Sequence, residues 1–432
     1  MRWQRLTGGL LAIALVAGGG ATSLPARAET VPQLTPRAVV PDESVLAAKL
    51  AAVSRKSLVS TAGAVYTASG DSLYAVDKAM VPASTLKVLT AMAALDVLGP
   101  DKRFTTKVVS AKKGRLTLVA GGDPFLRSSP SKSVAAWKAN LDDLVTQATS
   151  ALRAQRVTTV RVSFNATLFS GPGYAPSWKK SWDWYTARIS SLTVNAGTSG
   201  SRAYVNPAVS TTKLFIKKLK AKGFTVSYAG SAPKPSGART VASVTSAPLT
   251  VMVGRMLRVS DNVAAETLAR HVARMMHKPG SFTGASAALT TWLKSHKLWK
   301  SGMVIDGGSG LSSRTKVFPS VLARAIGRSL ADRKYAAIVG GLPVAGVSGT
   351  LEDRFDDPAE KAGRGVVHAK TGTLKKVAGL TGYVTTADGT LLTFAFLATH
   401  DGTHNKAAGN WLDRSATALA TCGCQVPPTS GG

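Results

Sequence analysis

The stretch from Pro82 to Pro100, PASTLKVLTAMAALDVLGP, is almost entirely small or apolar, and Lys87 and Asp96 are its only charged residues. A helix that is apolar on all sides has to be buried, and the Gly-Pro pair at residues 99–100 ends it. Ser84 lies three residues before Lys87, so its hydroxyl and the lysine amine share one helix face. Because burying an amine is costly, Lys87 is a candidate functional residue.

The first 28 residues carry the pattern of a secretory signal peptide. Arg2 and Arg5 precede the apolar run LLAIALVAGGG, and the Ala-Arg-Ala sequence at residues 26–28 is a small-x-small cleavage signature. No cysteine follows this run directly, and no second segment of about 18 apolar residues occurs. We therefore expect an exported protein, in the periplasm or the extracytoplasmic cell wall.

The chain is strongly basic, with a formal net charge of +31 at pH 7. Loss of residues 1–28 removes three arginines and no acid, and +31 less three leaves +28. A charge of this size attracts polyanions. Because the chain is expected to be exported, we expect an anionic cell-wall polymer or a membrane surface as partner, and no nucleic acid. The alternative is that the charge only keeps a basic protein soluble.

The remaining patterns alternate between strands and helices. β-Branched and aromatic runs predict a hairpin at residues 65–76, strands from about 104 and from about 157 past 197, and a final strand pair over 377–400. Helices are predicted at about 133–154, 213–224, 249–277 and 406–420. Cys422 and Cys424 are one residue apart, and we do not expect them to form a bridge. No metal or cofactor motif is present.

Ser-x-x-Lys is a weak motif in a basic chain, and here it also begins at residues 110, 129, 177, 210, 231 and 313. Only Ser84 opens a long apolar helix with its lysine on the buried face. Serine becomes a nucleophile when a neighbouring base removes its proton, and burial pushes a lysine towards the neutral form that can do so. The alternative is a capped helix start with a lysine whose amine reaches solvent.

A second motif, Ser260-Asp261-Asn262, separates two helical stretches. Its alternative interpretation is an ordinary helix cap, since all three residue types favour that position. A third motif, Lys370-Thr371-Gly372-Thr373, precedes the final strand pair. Its glycine would let a peptide lie along the strand edge, and its hydroxyls and amine could bind a carboxylate. The alternative is an exposed edge strand protected by a lysine.

The three motifs occur in this order, each in a fitting local structure, which is the signature of serine penicillin-binding proteins and β-lactamases. Further segments, among them LTLVAGGDPFL, RVSFNATLFSGPGYAPSW, IDGGSGLSSRTKVFP and LPVAGVSGTLEDRF, extend the likeness over most of the chain. The sequence resembles the D-alanyl-D-alanine carboxypeptidase/endopeptidase family of the penicillin-binding protein 4 type, the low-molecular-mass class C group.

The resemblance implies an α+β fold, with a five-stranded antiparallel sheet flanked by helices on both faces and a strand-rich inserted domain. Ser260 follows Lys87 by 173 positions, which leaves room for that insertion. We expect a signal peptide at 1–28, a split catalytic domain at 29–107 and 246–424, an inserted domain at 108–245 and a tail at 425–432. The loop DGGSGLS has one glycine more than the DGSGLS usual in the family.

The resemblance also implies roles. Ser84 would attack the D-Ala-D-Ala peptide bond of peptidoglycan stem peptides, with Lys87 as the general base. Ser260 and Lys370 would pass the proton to the leaving nitrogen, and Asn262 would hold the substrate amide.

The same resemblance places the terminal carboxylate of the substrate on Thr371 and Thr373, beside Gly372. The oxyanion would lie between the backbone N–H groups of Ser84 and Thr373. The Lys370 charge would keep Lys87 neutral. Asp183, Tyr185 and Arg354 lie in segments that could shape the substrate pocket.

Two other functions remain open at this stage. A β-lactamase shares the first and third motifs, but no glutamate has the local sequence of the class A deacylation base. A non-enzymatic protein that senses β-lactams or binds the cell wall is the alternative from another class. β-Lactam antibiotics are expected as covalent inhibitors of a peptidase.

Overall fold

The computed structural model describes residues 41–130, 139–179, 182, 185–403 and 405–423. The expected signal peptide and C-terminal tail lie outside these residues. The α-helices are α1 (Glu43–Ala52), α2 (Lys87–Leu98), α3 (Leu141–Ala154), α4 (Pro207–Ala221), α5 (Leu249–Arg258), α6 (Asn262–Met275), α7 (Phe282–Ser295), α8 (Pro319–Ala331), α9 (Ala336–Val339) and α10 (Asn405–Ala420). Among the described residues, no helix has both the length and the apolar character needed to cross a membrane.

The strands form two five-stranded sheets and one short two-stranded pair within the described residues. They are β1 (Leu58–Thr67), β2 (Ser72–Val76), β3 (Thr105–Lys112), β4 (Arg115–Val119), β5 (Thr159–Asn165), β6 (Thr198–Ser199), β7 (Arg202–Ala203), β8 (Thr225–Ser231), β9 (Arg239–Thr245), β10 (Val367–Leu374), β11 (Val377–Thr385) and β12 (Leu391–His400).

The first sheet has the order β10-β11-β12-β1-β2, and all of its pairs are antiparallel. Its strands are rich in β-branched and aromatic residues, and β11 and β12 are buried along nearly their whole length because helices cover both faces. α2, α6 and α8 belong to the core on one side, and α1 and α10 pack on the other. The expected α+β fold with a five-stranded antiparallel sheet is confirmed.

The second sheet has the order β8-β5-β4-β3-β9, with parallel pairing between β4, β5 and β8. α3 and α4 cover one face, where Val160 and Val162 are fully buried. The chain enters and leaves this unit on adjacent strands, because Thr105 of β3 pairs with Thr245 of β9. The second sheet supports our proposal of an inserted domain at 108–245, although β3 begins three residues before that boundary.

Several local predictions need correction. α3 begins at Leu141, where Asn140 caps it, and residues 131–138 of the predicted helix lie outside the described part. The predicted strand at 189–197 is an irregular segment with a short 3₁₀ turn, because Asn195 and Ala196 take positive φ values of 52° and 54° that a strand excludes. Cys422 is disulfide-bonded, contrary to the expectation, and Cys424 lies outside the described residues.

Candidate active site

The turn that carries Ser84 is set by an unusual backbone conformation. A 3₁₀ turn over Ala83–Leu86 leads directly into α2, and Ala83 has a φ of +47°. Gly310 lies against this turn so closely that a Cβ there would meet the Ala83 carbonyl oxygen at 1.9 Å. A strained residue next to a half-buried serine is typical of a functional site.

Lys87 is fully buried at the first position of α2. Its Nζ lies 2.8 Å from Ser84 Oγ, 2.7 Å from Asn262 Oδ1 and 2.8 Å from the Ser309 carbonyl oxygen. Burial lowers the pKa of Lys87 to about 7, against the opposing charges of Glu266 and Asp261. The interpretation of Lys87 as a solvent-reaching lysine is therefore wrong.

The three contacts of Lys87 fix the direction of its lone pair when the amine is neutral. Two of its neighbours, Asn262 Oδ1 and the Ser309 carbonyl oxygen, can only accept hydrogen bonds. A neutral amine has two N–H groups, and both are used there. The lone pair is left for the Ser84 hydroxyl, which is the arrangement a general base requires.

Glu266, on α6, is a positioning residue that the sequence reasoning missed. Its buried carboxylate accepts hydrogen bonds from the backbone N–H of Gly308 at 3.0 Å and from the N–H and hydroxyl of Ser309 at 2.9 Å and 2.6 Å. It thereby holds the loop whose Ser309 carbonyl accepts from Lys87. The only signal in the sequence is an acid four residues after Asn262, on the same face of a helix.

Ser260 and Asn262 lie at the junction of α5 and α6. The helix cap is Asp261, whose side chain accepts from the backbone N–H of Ala264 at 2.9 Å. Ser260 has a φ of +59°, and it lines the cavity in front of Ser84. Its hydroxyl makes no hydrogen bond to the described residues. Asn262 Oδ1 accepts a hydrogen bond from Lys87, and Asn262 Nδ2 donates one to the Tyr185 carbonyl oxygen at 2.9 Å. Both polar atoms of the side-chain amide are therefore hydrogen-bonded within the protein.

Lys370 is fully buried on β10, the edge strand of the first sheet. Burial lowers its pKa well below the ordinary value, and the nearby charges of Lys87 and Arg354 act in the same direction. Burial is the main cause of the lowered pKa of both Lys87 and Lys370, and the charge of Lys87 lowers the pKa of Lys370 further. The two amines disfavour being charged together.

The remaining residues of the third motif face the serine turn. Thr371 Oγ1 lies 2.7 Å from Thr350 Oγ1. Thr350 was not among the site residues predicted from the sequence. Gly372 lies against the turn itself, since a Cβ there would be 2.6 Å from the Pro82 carbonyl oxygen and 3.2 Å from Ser84 N. The outer edge of β10 pairs with residues 343–345 only as far as Ala369. Beyond that point, no described residue pairs with this edge, which runs beside Ser84.

Replacing Gly372 by alanine should lower the rate of acylation at Ser84 by about 10²-fold, because the added Cβ would separate β10 from the serine turn. The measurement is the second-order rate constant for reaction with a fluorescent penicillin. Gly409→Ala is the matched control, since a Cβ at that position meets nothing within 4 Å. Equal rates in the two variants would contradict the packing role of Gly372.

A cavity of about 820 Å³ opens in front of Ser84. The residues that line it come from all three motifs and from their surroundings, and they include Ser84, Ser260, Asn262, Thr371, Thr373, Tyr185, Thr350, Arg354, Lys375 and Asn405. Arg354 faces this cavity but also binds Asp413, with Nη2–Oδ1 and Nε–Oδ2 distances of 2.5 Å and 3.0 Å. Asp183 lies outside the described residues.

The pKa of Lys87 gives an expected pH dependence. Only the neutral amine can take the Ser84 proton, so acylation should fall about tenfold for each pH unit below about 7 and level off above it. The measurement is the acylation rate constant between about pH 5 and pH 9, with far-ultraviolet circular dichroism to show that the protein stays folded. A flat profile below pH 7 would contradict the role of Lys87 as base.

A serine and a buried lysine with a lowered pKa, at the start of a buried helix beside the outer edge of β10, are the arrangement expected of a serine enzyme of the penicillin-binding class. The family model "D-Ala-D-Ala carboxypeptidase 3 (S13)" matches residues 59–206 and 197–419. The chain belongs to this family, which confirms the relationship expected from the motifs and makes the protein a serine D-Ala-D-Ala carboxypeptidase.

Relatives and solved structures agree with this assignment. The chain is 35% identical to a carboxypeptidase of Mycobacterium tuberculosis, over 81% of this chain and 77% of that protein. It is 34% identical to Carboxypeptidase DacB of Mycolicibacterium smegmatis, over 80% of this chain and 76% of that protein. The structure resembles penicillin binding protein 4 of Haemophilus influenzae in fold, with a TM-score of 0.71 and 19% sequence identity. The match covers 87% of this chain and 98% of that one.

Proposed function

We propose that the protein is exported and removes the terminal D-alanine from peptidoglycan stem peptides through an acyl-enzyme at Ser84. The observation that carries the proposal is the 2.8 Å contact between Ser84 Oγ and the buried amine of Lys87, whose pKa is lowered to about 7. A Lys87 in this state can accept the serine proton near neutral pH. The proposed site consists of Ser84, Lys87, Ser260, Asn262 and Lys370.

The substrate peptide would lie along the outer edge of β10, next to Gly372. Thr371 and Thr373 would donate their hydroxyls to the terminal carboxylate. The scissile carbonyl would then face Ser84, with its oxygen between the backbone N–H groups of Ser84 and Thr373. The close approach of Gly372 to Ser84 N supports this arrangement, because it brings the backbone of β10 next to the backbone of the serine turn.

In the first step, Ser84 Oγ attacks the carbonyl carbon while Lys87 takes the hydroxyl proton. The tetrahedral intermediate collapses when the proton reaches the D-alanine nitrogen and the C–N bond breaks. Ser260 is the proposed carrier of that proton from Lys87 to the nitrogen, with the buried amine of Lys370 behind it. In the second step, water gives a proton to Lys87 and attacks the ester carbonyl carbon. The bond from that carbon to Ser84 Oγ then breaks while Lys87 returns the proton to Oγ, which releases the shortened peptide and restores Ser84.

Asn262 takes a different part in this scheme from the one that the resemblance implied. Its Oδ1 is 2.7 Å from Lys87 Nζ and its Nδ2 binds the Tyr185 carbonyl oxygen. Both interactions support a role in orienting the base. Contact with the substrate amide would require the Tyr185 hydrogen bond to open.

The proposal also includes penicillin as an inhibitor that acylates Ser84. The test is release of D-alanine from a soluble pentapeptide ending in D-Ala-D-Ala, before and after treatment with benzylpenicillin. We expect the rate of D-alanine release to fall in proportion to the fraction of the protein that is acylated. Release that continues in fully acylated protein, or no release by untreated protein, would overturn the proposal.

A DD-endopeptidase activity is a second candidate, because the cavity of about 820 Å³ is large enough for more than the end of one peptide. Cleavage of a cross-linked dimeric peptide breaks a bond to a D-alanine carbonyl in the same way. Comparing kcat/KM for the pentapeptide and for the dimer measures the balance between the two activities. No cleavage of the dimer would remove the second candidate.

A further inference from the structure

The second sheet carries a group of cations on the face opposite α3 and α4. Along β4 and β5 the side chains alternate between the two faces, so Leu116 and Val162 enter the core while Arg115 and Arg161 point away from it. Lys112, at the end of β3, is also exposed. We call Lys112, Arg115 and Arg161 the basic row.

The members of the basic row lie directly side by side. Lys112 pairs with Arg115 across the β3–β4 hairpin, and Arg115 pairs with Arg161 across the parallel β4–β5 ladder. Neighbouring strands are about 4.8 Å apart, so the row spans about 10 Å. Like charges at opposed positions destabilise a sheet. None of these three side chains has an ion pair or a hydrogen bond within the described part of the chain, so nothing there offsets the repulsion.

The basic row borders a cavity of about 370 Å³, and the described residues that line it include no acidic residue. Its floor includes Thr117 and Ser163, whose hydroxyl oxygens are 2.9 Å apart. Hydroxyl groups beside guanidinium groups suit a ligand that is both anionic and rich in hydroxyls. The volume lies within the range of small-ligand sites, and no residue of this cavity also lines the catalytic one.

The surrounding sequence strengthens the attraction. Residues 108–245 contain 20 Lys and Arg against four Asp, so this third of the chain carries more than half of the net charge of +31. Such a field draws polyanions towards the unit before any contact forms. The basic row is a specific site at which a polyanion attracted by this field could bind.

We propose that the basic row is a docking site for a cell-wall glycan that carries phosphodiester groups. Two of its three cations are arginines, which bind phosphate oxygens with two parallel hydrogen bonds. The cations border a concave site with a hydroxyl floor, which a sugar-phosphate chain can enter and a flat bilayer cannot. The inference depends on the proposed export of the protein, but not on its catalytic activity.

The test compares two triple variants that lose the same charge. Lys112→Gln, Arg115→Gln and Arg161→Gln remove the basic row. Lys213→Gln, Lys217→Gln and Lys220→Gln remove three exposed cations from α4, on the other side of the sheet. The probe is purified poly(N-acetylglucosamine 1-phosphate), a glycan whose sugars are joined by phosphodiester groups, and the Kd is measured by isothermal titration calorimetry at low and at moderate salt.

We expect the row variant to bind about tenfold more weakly and with a smaller salt dependence, and the α4 variant to bind within about twofold of the unaltered protein. Equal losses in the two variants would overturn the proposal, since binding would then follow net charge alone. Absence of binding to the polymer would overturn it as well. So would loss of binding to vesicles of phosphatidylglycerol and phosphatidylcholine with polymer binding unchanged, which would assign the row to a lipid surface.

Two controls test whether a loss of polymer binding comes from the basic row itself, and not from misfolding or from the catalytic site. The row variant should keep the far-ultraviolet circular dichroism spectrum and the thermal midpoint of the unaltered protein, which shows that it is folded, and it should release D-alanine from the soluble pentapeptide at the unaltered rate. The Ser84→Ala variant should bind the polymer as well as the unaltered protein does. Failure of the proposed carboxypeptidase reaction therefore leaves the binding result interpretable.

Discussion

Ser84→Ala should remove all covalent reaction with benzylpenicillin, and intact-protein mass spectrometry should show no adduct where the unaltered protein shows one. Release of D-alanine should fall by about 10³-fold or more, because loss of a serine nucleophile leaves only binding and oxyanion stabilisation. The fold should survive, since the only side-chain hydrogen bond of Ser84 in the described residues is to Lys87.

Ser313→Ala is the matched control for that experiment, because Ser313 begins another Ser-x-x-Lys sequence and is exposed. It should form the adduct normally. An adduct that persists in Ser84→Ala would place the nucleophile elsewhere. Rapid hydrolysis of benzylpenicillin by the unaltered protein, without an adduct, would favour the β-lactamase alternative.

Lys87→Met should lower acylation by about 10³-fold while making the protein more resistant to unfolding below pH 7. The first effect follows from loss of the base. The second follows because burial lowers the pKa of Lys87 from 10.5 to about 7, which costs the folded state about 5 kcal/mol when both states are protonated. Lost hydrogen bonds to Asn262 and Ser309 offset about 1–3 kcal/mol of that gain.

The stability difference should shrink as pH rises. Between about pH 7 and 10.5 the unfolded chain holds the Lys87 proton and the folded chain does not, so the stability of the unaltered protein increases with pH in that window. Urea unfolding at pH 6 and pH 10 measures this, with the exposed Lys220→Met as control. A difference between Lys87→Met and the unaltered protein that is the same at both pH values would contradict a buried, neutral amine.

Residues whose role depends on their immediate neighbours in the chain were predictable. Lys87 follows Ser84 by one helical turn in a segment with no polar face, so both its burial and its contact follow from local sequence. The final strand pair and α10 were also predictable from local sequence, since β11 and β12 are short apolar runs joined by a turn and α10 has a buried apolar face. The order of the motifs then indicated the family.

Residues that meet across the fold were not predictable. Glu266 reaches the Ser309 loop across 43 positions, and Thr350 meets Thr371 across 21. Arg354 was expected only to shape the pocket, and its ion pair with Asp413 depends on where α10 packs. The effect of burial on Lys370 also required the structure, because the sequence shows a lysine on an edge strand and not the helices and loops that enclose it.

The pairing of Thr105 with Thr245 has a consequence for the history of this architecture. The backbone of Phe104 and Ser246 continues the contact, with the Ser246 N–H donating to the Phe104 carbonyl at 2.9 Å. A unit whose two ends meet can be gained or lost in one genetic event without stretching the chain that remains. We therefore expect that the chain outside residues 105–245 can be joined by a short linker in place of this unit, because Phe104 and Ser246 already lie side by side.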